Sequence, residues 1–168
     1  MSFISTSGVR IAQLVGIGAS GYLAGFISAC SIVGVPPLAF APPEIAAKQW
    51  AKLYHVGRAR APAIAASGLL AYIYLGYASG HTVSPAEGFA YLAAGAATIA
   101  IVPYTFATMM ATNNEIEGLA AETEKATASG ERVKYLMQKW YKLNLGRSLF
   151  PLGGFVIGLL AIGGYFAE

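Results

Sequence analysis

Four long stretches without a formal charge constrain this chain more than any other feature: residues 11–43, 61–86, 88–114 and 148–167. Each can supply the roughly 20 apolar residues that an α-helix needs to cross a bilayer. Charged residues make up 11% of the chain, against about 25% in soluble domains, and the mean hydropathy is +0.56. The expected fold is all-α, an integral membrane four-helix bundle. It forms a single domain over residues 1–168, with spans at 11–33, 62–79, 89–111 and 149–166 and short amphipathic helices on the cytoplasmic side.

Local signals fill in the elements. Residues 1–8 are short and polar, and a disordered or interfacial start is expected. The first run could be read as a signal peptide, because Ala39-Phe40-Ala41 resembles a cleavage site. It is too long for one, its leading segment carries only Arg10, and Pro42 would follow the cut. Gly21 and Gly25, with Gly18 and Ala29, form a small face suited to close helix packing. Pro36, Pro37, Pro42 and Pro43 mark a rigid break. Residues 44–58 read as an amphipathic helix, with Trp50, Tyr54 and Gly57 on one face and Lys48, Lys52 and His55 on a solvated one. Pro62 is placed at the first turn of the second span, where its missing N–H is tolerated. Tyr72, Tyr74 and Tyr77 resemble an aromatic belt, and residues 80–87 a tight loop containing His81. Pro103 is expected to kink the third span. Thr112-Asn113-Asn114-Glu115 fits a capping box that starts a new helix. Helices at 115–125 and 131–145 then lead into the last span, where Gly154 and Gly158 form a second small pair.

Ten of the eleven Lys and Arg residues lie in the first and third connections, leaving only Arg10 on the other side. The positive-inside rule puts both connections in the cytoplasm and both termini outside or in a lumen. The net charge of +3 is then explained by basic residues facing anionic lipid. No Lys/Arg cluster is dense enough to suggest nucleic acid. Cys30 is the one cysteine, so it can form no internal disulfide. Two histidines on opposite sides, with no aspartate anywhere, make a poor metal-ligand set, and no metal is expected.

The stretch from Met137 to Pro151 organises the rest. Trp140, Asn144 and Arg147 fall at i, i+4 and i+7, which aligns them on one helix face. That face carries an aromatic, an amide and a permanent cation next to an apolar run. Two further stretches, residues 49–62 and 103–115, put polar and aromatic side chains at similar depth on the same side, and the three are expected to form one site. Each residue also has a plainer reading. Arg147 could be a snorkelling anchor, the two tryptophans interfacial belt residues, and Asn113 part of a helix start. Asn144 is harder to explain as structure, because a helix interior gains little from it. His55 has the chemistry of a general base but lies on the solvated face.

Three motifs carry a family resemblance: Gln49-Trp50-x-x-x-Tyr54-x-x-Gly57-x-x-x-x-Pro62; Pro103-Tyr104-Thr105 followed by Met110-Ala111-Thr112-Asn113-Asn114; and Trp140-x-x-x-Asn144-x-x-Arg147-x-x-x-Pro151. Together they resemble the small four-span membrane proteins that include the fungal anthrone oxygenases. Ala111 departs from the pattern, which has proline before the Thr-Asn pair. The resemblance implies a monooxygenase of secondary-metabolite biosynthesis, oxidising an anthrone-type polyketide to an anthraquinone with dioxygen as co-substrate and no other cofactor. It implies substrate contacts from Trp50, Trp140, Tyr104 and Asn114, and catalytic roles for Arg147, Asn144, Asn113, His55 and Tyr54. In that scheme Trp50, Tyr54 and Trp140 stack on the rings, Arg147, Asn113 and Asn144 donate to the ketone oxygen, and Tyr54 or His55 takes the proton. The implied partners are a hydrophobic aromatic small molecule and membrane lipid, with a homo-oligomer left open and the endoplasmic reticulum or a related endomembrane as the setting. The alternative is a non-catalytic membrane protein, a lipid-binding module or partner subunit, built on the same bundle.

Overall fold

A computed structural model describes residues 6–167, and the described residues are helical almost throughout. Seven α-helices follow in order: α1 (Thr6–Ala29), α2 (Pro43–Thr82), α3 (Pro85–Ile99), α4 (Ile101–Tyr104), α5 (Met110–Ala121), α6 (Thr123–Ala128) and α7 (Gly130–Ile162). Two π-helical turns, Cys30–Gly34 and Thr105–Met109, and a 3-10 turn, Pro36–Phe40, join them. Four continuous stretches, Thr6–Phe40, Pro43–Thr82, Pro85–Ala121 and Gly130–Ile162, are long and apolar enough to cross a membrane. The protein is a multi-pass membrane protein. Of the expected polar start, residues 1–5 lie outside the described residues.

Several local expectations differ from the structure. Residues 44–58 are not a separate helix; they are the first part of the 40-residue α2, which runs through Pro62. A proline costs one i→i−4 hydrogen bond and kinks a helix without having to end it. At 1.5 Å per residue α2 is about 60 Å long, roughly twice the hydrocarbon core, so its charged half projects beyond the apolar layer. The loop at 80–87 shrinks to Val83-Ser84. Ser84 caps α3 by accepting from the Glu87 amide at 3.0 Å. Where Pro103 is expected to kink the third stretch, the regular helix stops at Ile99, four residues before it, where the proline ring would clash with the carbonyl, and resumes at Ile101. Thr112 to Glu115 do not start a helix, because they lie inside α5 and carry no cap. The expected break near 127–130 is present, with α6 ending at Ala128 and α7 starting at Gly130.

Two compact units divide the chain. The described part of the first comprises residues 6–24, Ala61–Ile101 and 149–167. Its core is small residues around Tyr72, Leu75 and Tyr91. Tyr72 is not a belt residue; it is fully buried. Its hydroxyl pairs with Ser20 Oγ at 3.0 Å and donates to the Gly154 carbonyl at 3.2 Å, as a polar group must where no water reaches it. Gly154 and Gly158 act as the expected small pair: a Cβ on Gly154 would run into Thr98 and the Ala94 carbonyl, and one on Gly158 into Tyr72. Gly21 packs on the Phe155 ring, whereas a Cβ on Gly18 would meet nothing.

The second unit comprises Gly25–Arg60 and Val102–Ser148. It holds both π-helical turns, the 3-10 turn and the charged halves of α2 and α7. Its core is Trp50, Tyr54, Met109, Ile116, Val133, Leu136, Met137 and Trp140, with smaller residues between. Lys48, Lys52 and His55 are exposed on the outer face of α2, as its amphipathic pattern predicts.

Candidate active site

The second unit holds every candidate residue. Asn144 on α7 is fully buried. Its Nδ2 donates to the Ile27 carbonyl at 2.8 Å and to Ser31 Oγ at 2.8 Å. Its Oδ1 accepts from Arg147 Nη2 at 2.6 Å. Acceptors on one side and a donor on the other fix the amide's orientation. Both hydrogens on Nδ2 are committed, so Asn144 orients Arg147 and has no donor left for a ligand.

Arg147 sits one turn further along α7. Its Nη1 donates to Thr105 Oγ1 at 2.9 Å, in the second π-helical turn. Its Nε is buried with no acceptor. Among the described residues the ion pairs are His55–Glu117, Lys125–Glu122 and Arg132–Glu115, and none of them involves Arg147. Cys30, Tyr54 and Tyr104 lie close enough to feel its charge. A cation held by neutral partners in a low-dielectric setting favours an incoming anion.

Aromatic side chains of α2 and α7 pack together in the same unit. Trp50 is fully buried. Tyr54 stacks on it with centroids 5.1 Å apart and planes at 9°, and Trp140 meets it edge-on at 5.6 Å and 89°. Neither tryptophan belongs to an interfacial belt. A substrate ring could stack on Trp50 only by displacing a neighbour. Both indole Nε1 atoms are buried without an acceptor, and Thr112 Oγ1 and Asn113 Oδ1 are likewise buried and unpaired. Asn113 is fully buried, and its Nδ2 donates to the Tyr54 hydroxyl at 3.3 Å. Together with Arg147 Nε, these unpartnered atoms all belong to the second unit. Buried polar groups are nearly always paired, so each of these atoms calls for an explanation.

The remaining candidates lie at the edge or outside. Tyr104 is half-buried, and its hydroxyl donates to the Leu143 carbonyl at 3.2 Å. Gly146 leaves room for that hydroxyl, which would be 3.3 Å from a Cβ there. Asn114 is exposed. His55 points outward with its side chain 57% exposed and Nε2 3.3 Å from Glu117 Oε1. A groove of about 960 Å³ in the same unit is lined by Val35, Leu38, Val133, Met137, Tyr141 and Lys142, among others, and by none of the candidates. The unpaired buried polar atoms lie on other residues of the unit, Trp50, Thr112, Asn113, Trp140 and Arg147. The sequence assigns no site role to Ser31, Thr105 or Thr112, the last being read only as part of a capping box. Thr105 and Thr112 do lie within a quoted motif, whereas Ser31 is hidden in an apolar run.

The family model described as anthrone oxygenase matches residues 50–157. The chain belongs to the anthrone oxygenase family. An anthrone oxygenase of Claviceps purpurea (strain 20.1) is 33% identical over 155 residues, covering 89% of this chain and 87% of its own. The anthrone oxygenase AgnL2 of Paecilomyces divaricatus is 31% identical, covering 89% and 93%. A noranthrone monooxygenase of Aspergillus flavus is 34% identical over 119 residues, covering 69% and 55%. No solved structure matches. These relatives are enzymes, which favours an enzyme over a lipid-binding module or partner subunit. The span matched by the anthrone oxygenase model begins at Trp50 and includes every candidate residue.

Proposed function

We propose that this protein oxidises an anthrone to an anthraquinone with dioxygen, through a substrate enolate held by Arg147. The observation that carries the reading is the Arg147 guanidinium, fixed by neutral partners and with its Nε unpaired. An anthrone has an activated methylene opposite its ketone. Loss of one proton gives an electron-rich enolate whose charge rests largely on the ketone oxygen. Donors placed at that oxygen stabilise the charge as it develops. Arg147 supplies the charge-assisted donor, and the Trp50 and Trp140 N–H groups and the Asn113 amide supply further polar contacts. Tyr54, buried beside Asn113, passes the proton; His55 faces away from the cluster.

The chemistry balances without a further reductant. The enolate gives an electron to dioxygen, and the two radicals combine at the former methylene carbon. Protonation gives a hydroperoxide, which loses water as the second C–H proton leaves and the new C=O forms. One anthrone and one dioxygen yield one anthraquinone and one water. The buried site has to open for substrate to enter. The reading places both charged connections in the cytoplasm, in an endomembrane into which the apolar substrate partitions.

The test is oxygen uptake by the purified protein in detergent with an anthrone, with and without a chelator. The expected result is one dioxygen consumed per quinone formed at the same rate under both conditions. No uptake above the uncatalysed rate would overturn the assignment, and loss of activity with chelator would overturn its cofactor-free form.

A further inference from the structure

We propose that Ser31 and Thr105, the hydroxyl residues of the two π-helical turns, are positioning residues for Arg147. This rests on the enolate reading above. Thr105 acts directly, by accepting from Nη1 at 2.9 Å. Ser31 acts through Asn144: its Oγ accepts from Nδ2 at 2.8 Å and donates to the Tyr141 carbonyl at 3.2 Å. That donation turns a lone pair of Ser31 toward Asn144, which presents Oδ1 to Arg147 Nη2. One continuous chain of hydrogen bonds therefore runs from the Tyr141 carbonyl through Ser31, Asn144 and Arg147 to Thr105.

The location of the two hydroxyls is the second observation. Among the described residues there are two π-helical turns, Cys30–Gly34 and Thr105–Met109, and each supplies one hydroxyl to this chain. Such turns are rare and recur at functional sites, because the extra residue re-aims side chains that a regular helix would direct elsewhere. Ser31 is fully buried. The two terminal nitrogens of the guanidinium are tied to different elements, which fixes the plane of the fork. Nε is then the one nitrogen of the guanidinium without a hydrogen-bond partner. A guanidinium without these ties would keep its charge and lose its aim.

The experiment follows the enolate itself. An anthrone is added to the detergent-solubilised protein without oxygen, and the long-wavelength enolate band is recorded against pH; kcat and KM are then measured with oxygen. Thr105→Val keeps the shape and removes the acceptor, Thr105→Ser keeps the hydroxyl, and Ser31→Ala tests the other end. Wild type should form the enolate at lower pH than free anthrone. Thr105→Val and Ser31→Ala should need higher pH and lose about 10–10²-fold in kcat, the scale of a misplaced reacting group, with KM little changed. Thr105→Ser should stay close to wild type. Thr105→Val or Ser31→Ala matching wild type in band and kcat would overturn the inference for that residue, and Thr105→Ser as impaired as Thr105→Val would overturn it for Thr105. If Thr105→Val does not fold, Thr105→Ala takes its place and is read by the same criteria. A wild-type protein that leaves the enolate's pH unchanged would instead sink the enolate reading, and this inference with it.

Discussion

Asn113 has an unpaired buried carbonyl oxygen, a state that costs stability and persists where function needs the group. Asn113→Leu, similar in shape and without polar atoms, should leave the melting temperature unchanged or raised while turnover falls; thermal unfolding and an anthrone assay on the same preparation check this. A loss of stability with normal turnover would make Asn113 structural. Residues on regular helix are legible in the sequence. The i, i+4, i+7 spacing of Trp140, Asn144 and Arg147 survives because α7 is unbroken through them. Asn113 is open to a capping reading because the residues that cap helices also occur inside them. Ser31 gives no periodic signal, since the extra residue of a π-helical turn breaks the 3.6-residue rhythm.

Long helices are legible as apolar runs, and their true lengths are not. Pro62 fits a helix start as well as a helix interior, so the charged half of α2 looks like a separate element. Close packing gives a sharper test. A Cβ on Gly154 would stand 2.6 Å from the Ala94 carbonyl oxygen, while one on the adjacent Gly153 would meet nothing within 4 Å. Gly154→Ala should therefore destabilise by about 1–3 kcal/mol, the usual cost of overpacking. Gly153→Ala should be close to neutral. Thermal unfolding of both variants in one detergent is the measurement, and equal effects would contradict the packing described for α7.

For the whole molecule, the charge distribution predicts that cysteines introduced at Lys48 and Lys139 react with an impermeant thiol reagent from the same side of sealed vesicles, and one at Arg10 from the other, in a Cys30→Ala background. The number of long helices and the family can be read from the sequence, because apolar run length and motif spacing are local properties. The hydrogen-bonded chain around Arg147 cannot, because it joins residues as far apart as Ser31 and Asn144. The central claim, that Arg147 holds the enolate, is tested most directly by comparing turnover and anthrone affinity in wild type, Arg147→Lys and Arg147→Ala. Arg147→Ala is expected to lose about 10²–10³-fold in turnover, as when one oxyanion donor is removed. Arg147→Lys should keep partial activity, because it retains the charge and loses the planar fork. Affinity for the neutral anthrone should change much less in both. Full turnover in Arg147→Ala would contradict the account.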